Sequence, residues 1–158
     1  MPVIELETII NAPVARCFDL SRSVDIHQLS TIKTNEKAIA GVTKGLMNKG
    51  EQVTWRAKHF GIYQRLTTLI LEMDAPFSFI DVQLKGPFKK MHHTHLFEQQ
   101  GKQTIMKDIF AFESPAGILG KAVNWLILTN YMKSFLIERN RVIKEVAESD
   151  EWKKIIEQ

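Results

Sequence analysis

Residues 89–99 read KKMHHTHLFEQ and place three of the chain's five histidines, His92, His93 and His95, within four positions. Imidazole serves both as a metal ligand and as an acid or base near neutral pH, so the stretch raises two chemistries. Which of them is open depends on where each ring points. In a strand the side chains alternate, so Met91, His93, His95 and Phe97 share one face while His92, Thr94, Leu96 and Glu98 share the other. The face with Met91 and Phe97 is the more apolar and is expected to turn inward, which leaves His92 on the surface.

The following alternation carries Met106, Asp108, Phe110 and Phe112 on one face. A turn at QQGK, with Gln100 to Gln103 as its loop, pairs Gln99 with Thr104, Phe97 with Met106 and His95 with Asp108. Directly opposed residues on neighbouring strands have Cβ atoms ~5 Å apart, within reach of a hydrogen bond between imidazole and carboxylate. Such a bond satisfies two inward polar groups that are otherwise costly to bury. His95 and Asp108 are therefore the candidates for acid-base work. His-x-His on one strand face also suits zinc, with Asp108 or His59 as a third ligand, but nothing in the sequence fixes that ligand. The expectation is a hydrogen-bonded polar patch, with no metal and no cofactor.

These residues need a scaffold, and the rest of the chain supplies one. Residues 3–10 alternate as a strand, and NAP then starts a helix at about Pro13 with Val14, Cys17 and Phe18 on one face. A second short helix lies in SVDIHQLS, capped by Ser23. Gly41, Gly45 and Gly50 make the next segment a short strand and loop. From Glu51 onward the period is two, punctuated at Gly61, KGPF, QQGK and SPAG, which describes a meander of antiparallel strands. After Pro115 the period becomes helical, and Leu128, Met132, Phe135, Val142 and Val146 mark one helix from about Ile118 to at least Glu148. ESDEWKKIIEQ either prolongs that helix or forms a separate amphipathic end. About six successive strands expose one face that needs covering, and the long striped helix is the element able to cover it. A curved sheet around a long helix leaves a cavity.

Composition narrows the partners. With 158 residues the chain has the length of one domain, 1–158, able to bury a core without staples. Lys and Arg number 21 against 18 acids, giving a net charge of only +3, and no basic stripe is interleaved with aromatics, which argues against nucleic acid. Cys17 is the lone cysteine, which fits a reducing compartment and a small buried hydrophobe. No signal-peptide pattern opens the sequence, and GILGKAVNWLILTNYM is too short and too polar to span a bilayer, so the expected location is the cytoplasm.

The segments INAPVARCFDL, GEQVTWRAKHFG, FIDVQLKGPFKKMHHTHLFE, TIMKDIFAFESPAGILG and YMKSFLIERNRVIKE, in that order, resemble the START/SRPBCC superfamily over nearly the whole chain. The resemblance implies an α+β helix-grip fold: a curved antiparallel sheet wrapped around a long C-terminal helix, with two short helices after the first strand. It further implies a hydrophobic-ligand cavity, and the superfamily is not generally built around metal. Periodicity alone buries Ile80, Val82 and Leu84, whereas the resemblance points Asp81 and Gln83 into the cavity beside His93.

The expected lining is Trp55, His59, Phe79, Phe97, Met106, Phe110, Met132 and Phe135, with a polar end at Asp81, Gln83, His93, His95 and Asp108. Trp125, Leu128 and Leu136 extend the apolar wall of the long helix, and Arg139 packs its stem there with its guanidinium reaching an acid. His27 lies at the mouth or on the surface, with the surface favoured. A small hydrophobic molecule is the expected partner. Its rivals are a cyclase or dehydrase reaction using His95 with Asp108, and a lipid or quinone carrier touching membranes peripherally through GILG and WKKII.

Overall fold

The computed structural model describes residues 1–114 and 121–157. Its order is β1 (Val3–Ile10), α1 (Val14–Ser21), α2 (Val24–Ser30), a 3-10 turn (Ile32–Thr34), then β2 (Lys37–Gly41), β3 (Gln52–His59) and β4 (Ile62–Asp74). Next come β5 (Ser78–Lys85), β6 (Lys90–Gln100), β7 (Gln103–Glu113), α3 (Lys121–Ala147) and α4 (Trp152–Ile156). The seven strands form one curved antiparallel sheet in the order β1-β7-β6-β5-β4-β3-β2. Every neighbouring pair except β1–β7 follows the chain, as short turns dictate. The start expected for the long helix, with GILG, lies outside the described residues.

Local chemistry explains the joints. Ser23 caps α2 by accepting a hydrogen bond from the Ile26 amide at 3.2 Å. Pro13 occupies the cap position of α1 and has no side chain able to cap, so the Gln99 side-chain oxygen accepts from the Val14 amide at 2.7 Å. The β3–β4 hairpin turns through Phe60 and Gly61, both with positive φ, as a tight two-residue loop of this hand requires. The β6–β7 hairpin keeps the expected register, with Gln99 opposite Thr104 and His95 opposite Asp108. Its loop is shorter than expected, because Gln100 and Gln103 still pair and only Gly101 and Lys102 turn.

Gly41 ends β2 at φ +73, where an added Cβ would lie 2.3 Å from the Gln52 carbonyl oxygen. Gly41→Ala therefore combines left-handed strain with a backbone clash and is expected to cost at least ~2 kcal/mol in urea unfolding. A loss below ~0.5 kcal/mol would show that this edge of the sheet is not held as described.

The core gathers at one end of the sheet, where α1 packs Phe18 edge-on against Phe79 and Phe97 at 5.6 and 5.5 Å between ring centres. Helix α4 is separate from α3. Its Trp152, Ile155 and Ile156 pack on this core, with the Arg16 guanidinium 4.0 Å from the Trp152 ring centre. The apolar residues of WKKII are thus partly buried against the core, while Lys153 and Lys154 are exposed. Among the described residues, no helix is long and apolar enough to cross a membrane.

Candidate functional site

Because Phe18 fills only one end, the rest of the space between sheet and α3 stays open as a cavity of about 570 Å³. Strand β3 contributes Trp55, Ala57 and His59 to its wall, at the period of two that the sequence showed. Helix α3 contributes Leu128, Met132, Phe135 and Leu136 at spacings of three and four. Asp81 from β5, His93 and His95 from β6 and Arg139 from α3 make one polar region in this wall.

Each histidine bonds the acid that does not face it across the strand pairs. His95 lies opposite Asp108 and His93 opposite Asp81. Yet His95 Nε2 donates to Asp81 Oδ2 at 2.7 Å, and His93 Nε2 donates to Asp108 Oδ1 at 2.8 Å. The contact expected between His95 and Asp108 is longer, 3.5 Å from Nδ1 to Oδ1. The rings reach diagonally because Phe79 stacks flat on His95, with ring centres 4.0 Å apart. His93 and His95 in turn lie with ring centres 3.8 Å apart and planes tilted by 33°.

Behind them Asp108, 1% exposed, accepts from three donors. These are His93, Arg139 Nη1 at 3.3 Å and Asn140 Nδ2 at 2.7 Å. Arg139 Nη1 also donates to Asn140 Oδ1 at 2.9 Å, and Nη2 lies 3.4 Å from the Ser21 carbonyl and 3.5 Å from His95 Nδ1.

The electrostatics follow from burial set against partners. Burial alone would raise the pKa of Asp108, but the His93 bond and the Arg139 charge outweigh it and hold the carboxyl well below its usual range. Asp81 is lowered likewise, burial being outweighed by the bond and charge of His95 and by His93 and Arg139. For His95, burial is the largest influence and His93 adds to it, so its pKa falls to about 4 despite Asp81. His95 is therefore neutral at pH 7, with its proton on Nε2 and Nδ1 left as an acceptor. At the other side of the cavity His59 Nδ1 lies 2.6 Å from the Tyr131 hydroxyl. Burial lowers the histidine and raises the phenol, so Tyr131 keeps its proton and the two share one hydrogen bond.

No protein-family model matches the chain, and no curated protein sequence matches it. Solved structures do. TTHA0849 from Thermus thermophilus superposes with a TM-score of 0.74 at 17% identity, covering 91% of this chain and 95% of that one. Zhui aromatase/cyclase from a Streptomyces species gives 0.71 at 14% identity, covering 93% of each chain. A START superfamily protein from Mycobacterium smegmatis gives 0.65 at 12% identity, covering 89% of this chain and 96% of that one. The chain has the helix-grip fold of START/SRPBCC proteins. At these identities the likeness carries the fold and leaves the site to be argued from its own residues.

Within the helix-grip frame, Trp55, His59, Asp81, His93, His95, Phe110, Met132 and Phe135 all line the cavity. Phe79, Phe97 and Met106 do not; they belong to the packed core under α1, where Ser21 Oγ sits 3.4 Å from Met106 Sδ. Asp108 stands behind the wall as the acceptor that holds His93. Gln83 shares the inward face of β5, but both ends of its amide bond the Phe88 backbone, at 2.7 and 3.2 Å, and so brace the β5–β6 turn. Trp125 is exposed and absent from the wall.

His27 lies in the wall and not on the surface, with its ring 4.2 Å from Trp55 and Nε2 bonded to Glu36 at 2.9 Å. Glu36, Tyr131 and Asn140 were not read from the sequence. Asn140 did leave a signal, since Leu136, Asn140, Ile143 and Ala147 repeat at four, three and four along one buried stripe. Glu36 precedes β2 in a loop, where no periodicity marks it.

Proposed function

We propose that this chain binds a small apolar molecule that carries one hydrogen-bonding group. The observation that carries this reading is a 570 Å³ cavity, mostly apolar, whose wall holds the Asp81–His93–His95–Arg139 cluster apart from the His27–Glu36 and His59–Tyr131 pairs. That volume is in the range of small-molecule sites, and burying the ligand's apolar surface at ~25 cal/mol per Å² supplies affinity while the polar region orients it. The helix-grip likeness to a START superfamily protein supports the same reading. A cytoplasmic setting goes with it.

The test is detergent-free extraction followed by mass spectrometry, together with titration of an apolar fluorescent probe. A saturable site is expected, and Met132→Trp, which fills the cavity from α3, should weaken the probe at least tenfold without unfolding the protein. No retained molecule and no probe binding in a folded sample would sink the proposal.

A second reading, an enzyme of the cyclase or dehydrase kind, is favoured by one feature, the backing of His93 by Asp108 at 2.8 Å. It requires a turnover that is lost in His93→Gln while probe binding persists.

A further inference from the structure

His93 presents an unused ligand atom to the cavity. Its Nε2 proton is committed to Asp108, whereas Nδ1 makes no hydrogen bond to any described residue and has Asp81 Oδ2 as its nearest acid oxygen, at 4.0 Å. His95 Nε2 meets the same Asp81 oxygen at 2.7 Å. One ligand atom from each of Asp81, His93 and His95 thus lies within 4.8 Å of the others. Sequence reasoning set a metal aside because no third ligand was fixed, and Asp81 supplies it.

We propose that Asp81, His93 and His95 bind a divalent transition metal, with the remaining coordination positions open to the cavity. Two imidazoles and one carboxylate with open positions suit zinc or iron(II) far better than calcium or magnesium, which prefer oxygen ligands.

The geometry needs little rearrangement. At bond lengths of ~2.1 Å, tetrahedral ligand atoms are ~3.4 Å apart. Moving the Asp81 oxygen by ~1 Å, away from His95 and toward His93, brings both distances, 2.7 and 4.0 Å, near that value, and the two imidazoles, whose ring centres lie 3.8 Å apart, turn so that their ring nitrogens, within 4.8 Å of one another, converge.

The surroundings match those of metal-bound histidines, whose other nitrogen usually donates to a carboxylate or carbonyl. His93 already donates to Asp108. When a metal takes His95 Nε2, the ring proton moves to Nδ1, 3.5 Å from Asp108 Oδ1, and Arg139 Nη2, 3.5 Å from the same nitrogen, gives up that contact and keeps the Ser21 carbonyl, so one buried acid braces both rings. Arg139 and Asn140 hold that acid in place. Charge agrees as well. Asp81 and Asp108 face the single guanidinium of Arg139, so a dication brings this group from −1 to +1, and a bound hydroxide or anionic ligand group closes the balance.

Metal binding is independent of the apolar-ligand proposal, because the probe titration there and the metal titration here can fail separately. The experiment uses untagged, chelator-treated protein titrated with Co²⁺ and with Zn²⁺ against a chromophoric chelator. One metal per chain is expected, tighter than micromolar, with cobalt giving the intense visible bands of a four- or five-coordinate site. Asp81→Asn and His93→Gln should each weaken zinc at least tenfold, whereas exposed His92→Gln should not.

Should either variant fail to fold, imidazole nitrogen NMR of the wild-type chain decides the matter. Zinc should then move the Nδ1 resonance of His93 and the Nε2 resonance of His95. Folded wild-type protein without saturable binding, an effect of His92→Gln equal to that of His93→Gln, or unmoved resonances would each overturn the site.

Discussion

Asp108→Ala is expected to remove about 3–5 kcal/mol from the folding free energy, a large loss for a single polar substitution. The reason is the number of its partners. Asp108 accepts from His93, Arg139 and Asn140 with 1% of its surface exposed, so its removal strands three donors and leaves a guanidinium buried opposite only Asp81. Asp108→Asn keeps an acceptor oxygen but loses the charge, and a smaller loss of ~1–3 kcal/mol follows.

The surface pair of Glu7 with Lys107, 3.6 Å apart and half exposed, is the contrast: Glu7→Gln should stay within ~0.5 kcal/mol. Urea unfolding of the three variants orders them. Adding Arg139→Met to Asp108→Ala should recover part of the loss, because the unpaired cation goes with its acid. A loss below ~1 kcal/mol for Asp108→Ala would mean that cavity water serves the three donors as well as the carboxylate does.

The same network marks where sequence reasoning stopped. Alternation in residues 91–97 and 106–112, closed by a turn with Gly101 in the left-handed region, yielded the β6–β7 register residue for residue, because a hairpin's register follows from its turn. Which acid each histidine bonds was not legible. That choice depends on β5 lying on the other side of β6, and on Phe79 holding the His95 ring flat.

The placing of Phe79, Phe97 and Met106 in the cavity failed for a related reason. Period two tells which face a side chain takes and is silent on how far along that face a covering element extends. Phe18 of α1 covers the end of the sheet that carries those three residues, and the open space begins beyond it. Arg139, by contrast, was legible, since a long stem inside an apolar stripe with an acid in reach has few other arrangements.

Acid should weaken the fold well before ordinary carboxylates titrate, and His95 is the cause. Its pKa is about 4 in the folded chain, lowered by burial first and by His93 next, against ~6.5 for an unfolded histidine. Between those values the unfolded chain holds a proton that the folded chain does not. Stability therefore rises with pH across this window, is fully present above about pH 6.5, and is lost as pH falls toward 4. The full separation corresponds to on the order of 3 kcal/mol as an upper bound, since each pH unit contributes ~1.4 kcal/mol. His59, also lowered by burial, acts in the same direction.

Below the unfolded carboxylate range near about pH 4 a second loss begins, because Asp81 and Asp108 are depressed in the folded state and their contribution disappears as they protonate. Urea unfolding at half-unit steps from about pH 3.5 to 7.5 should show the first slope, and His95→Gln should reduce it. Histidine NMR should place the His95 midpoint at about 4, well below that of a free imidazole. A flat profile from about pH 4.5 to 6.5, or a His95 midpoint near ~6.5, would show that the ring is reached by water and that the polar end of the cavity is open to solvent.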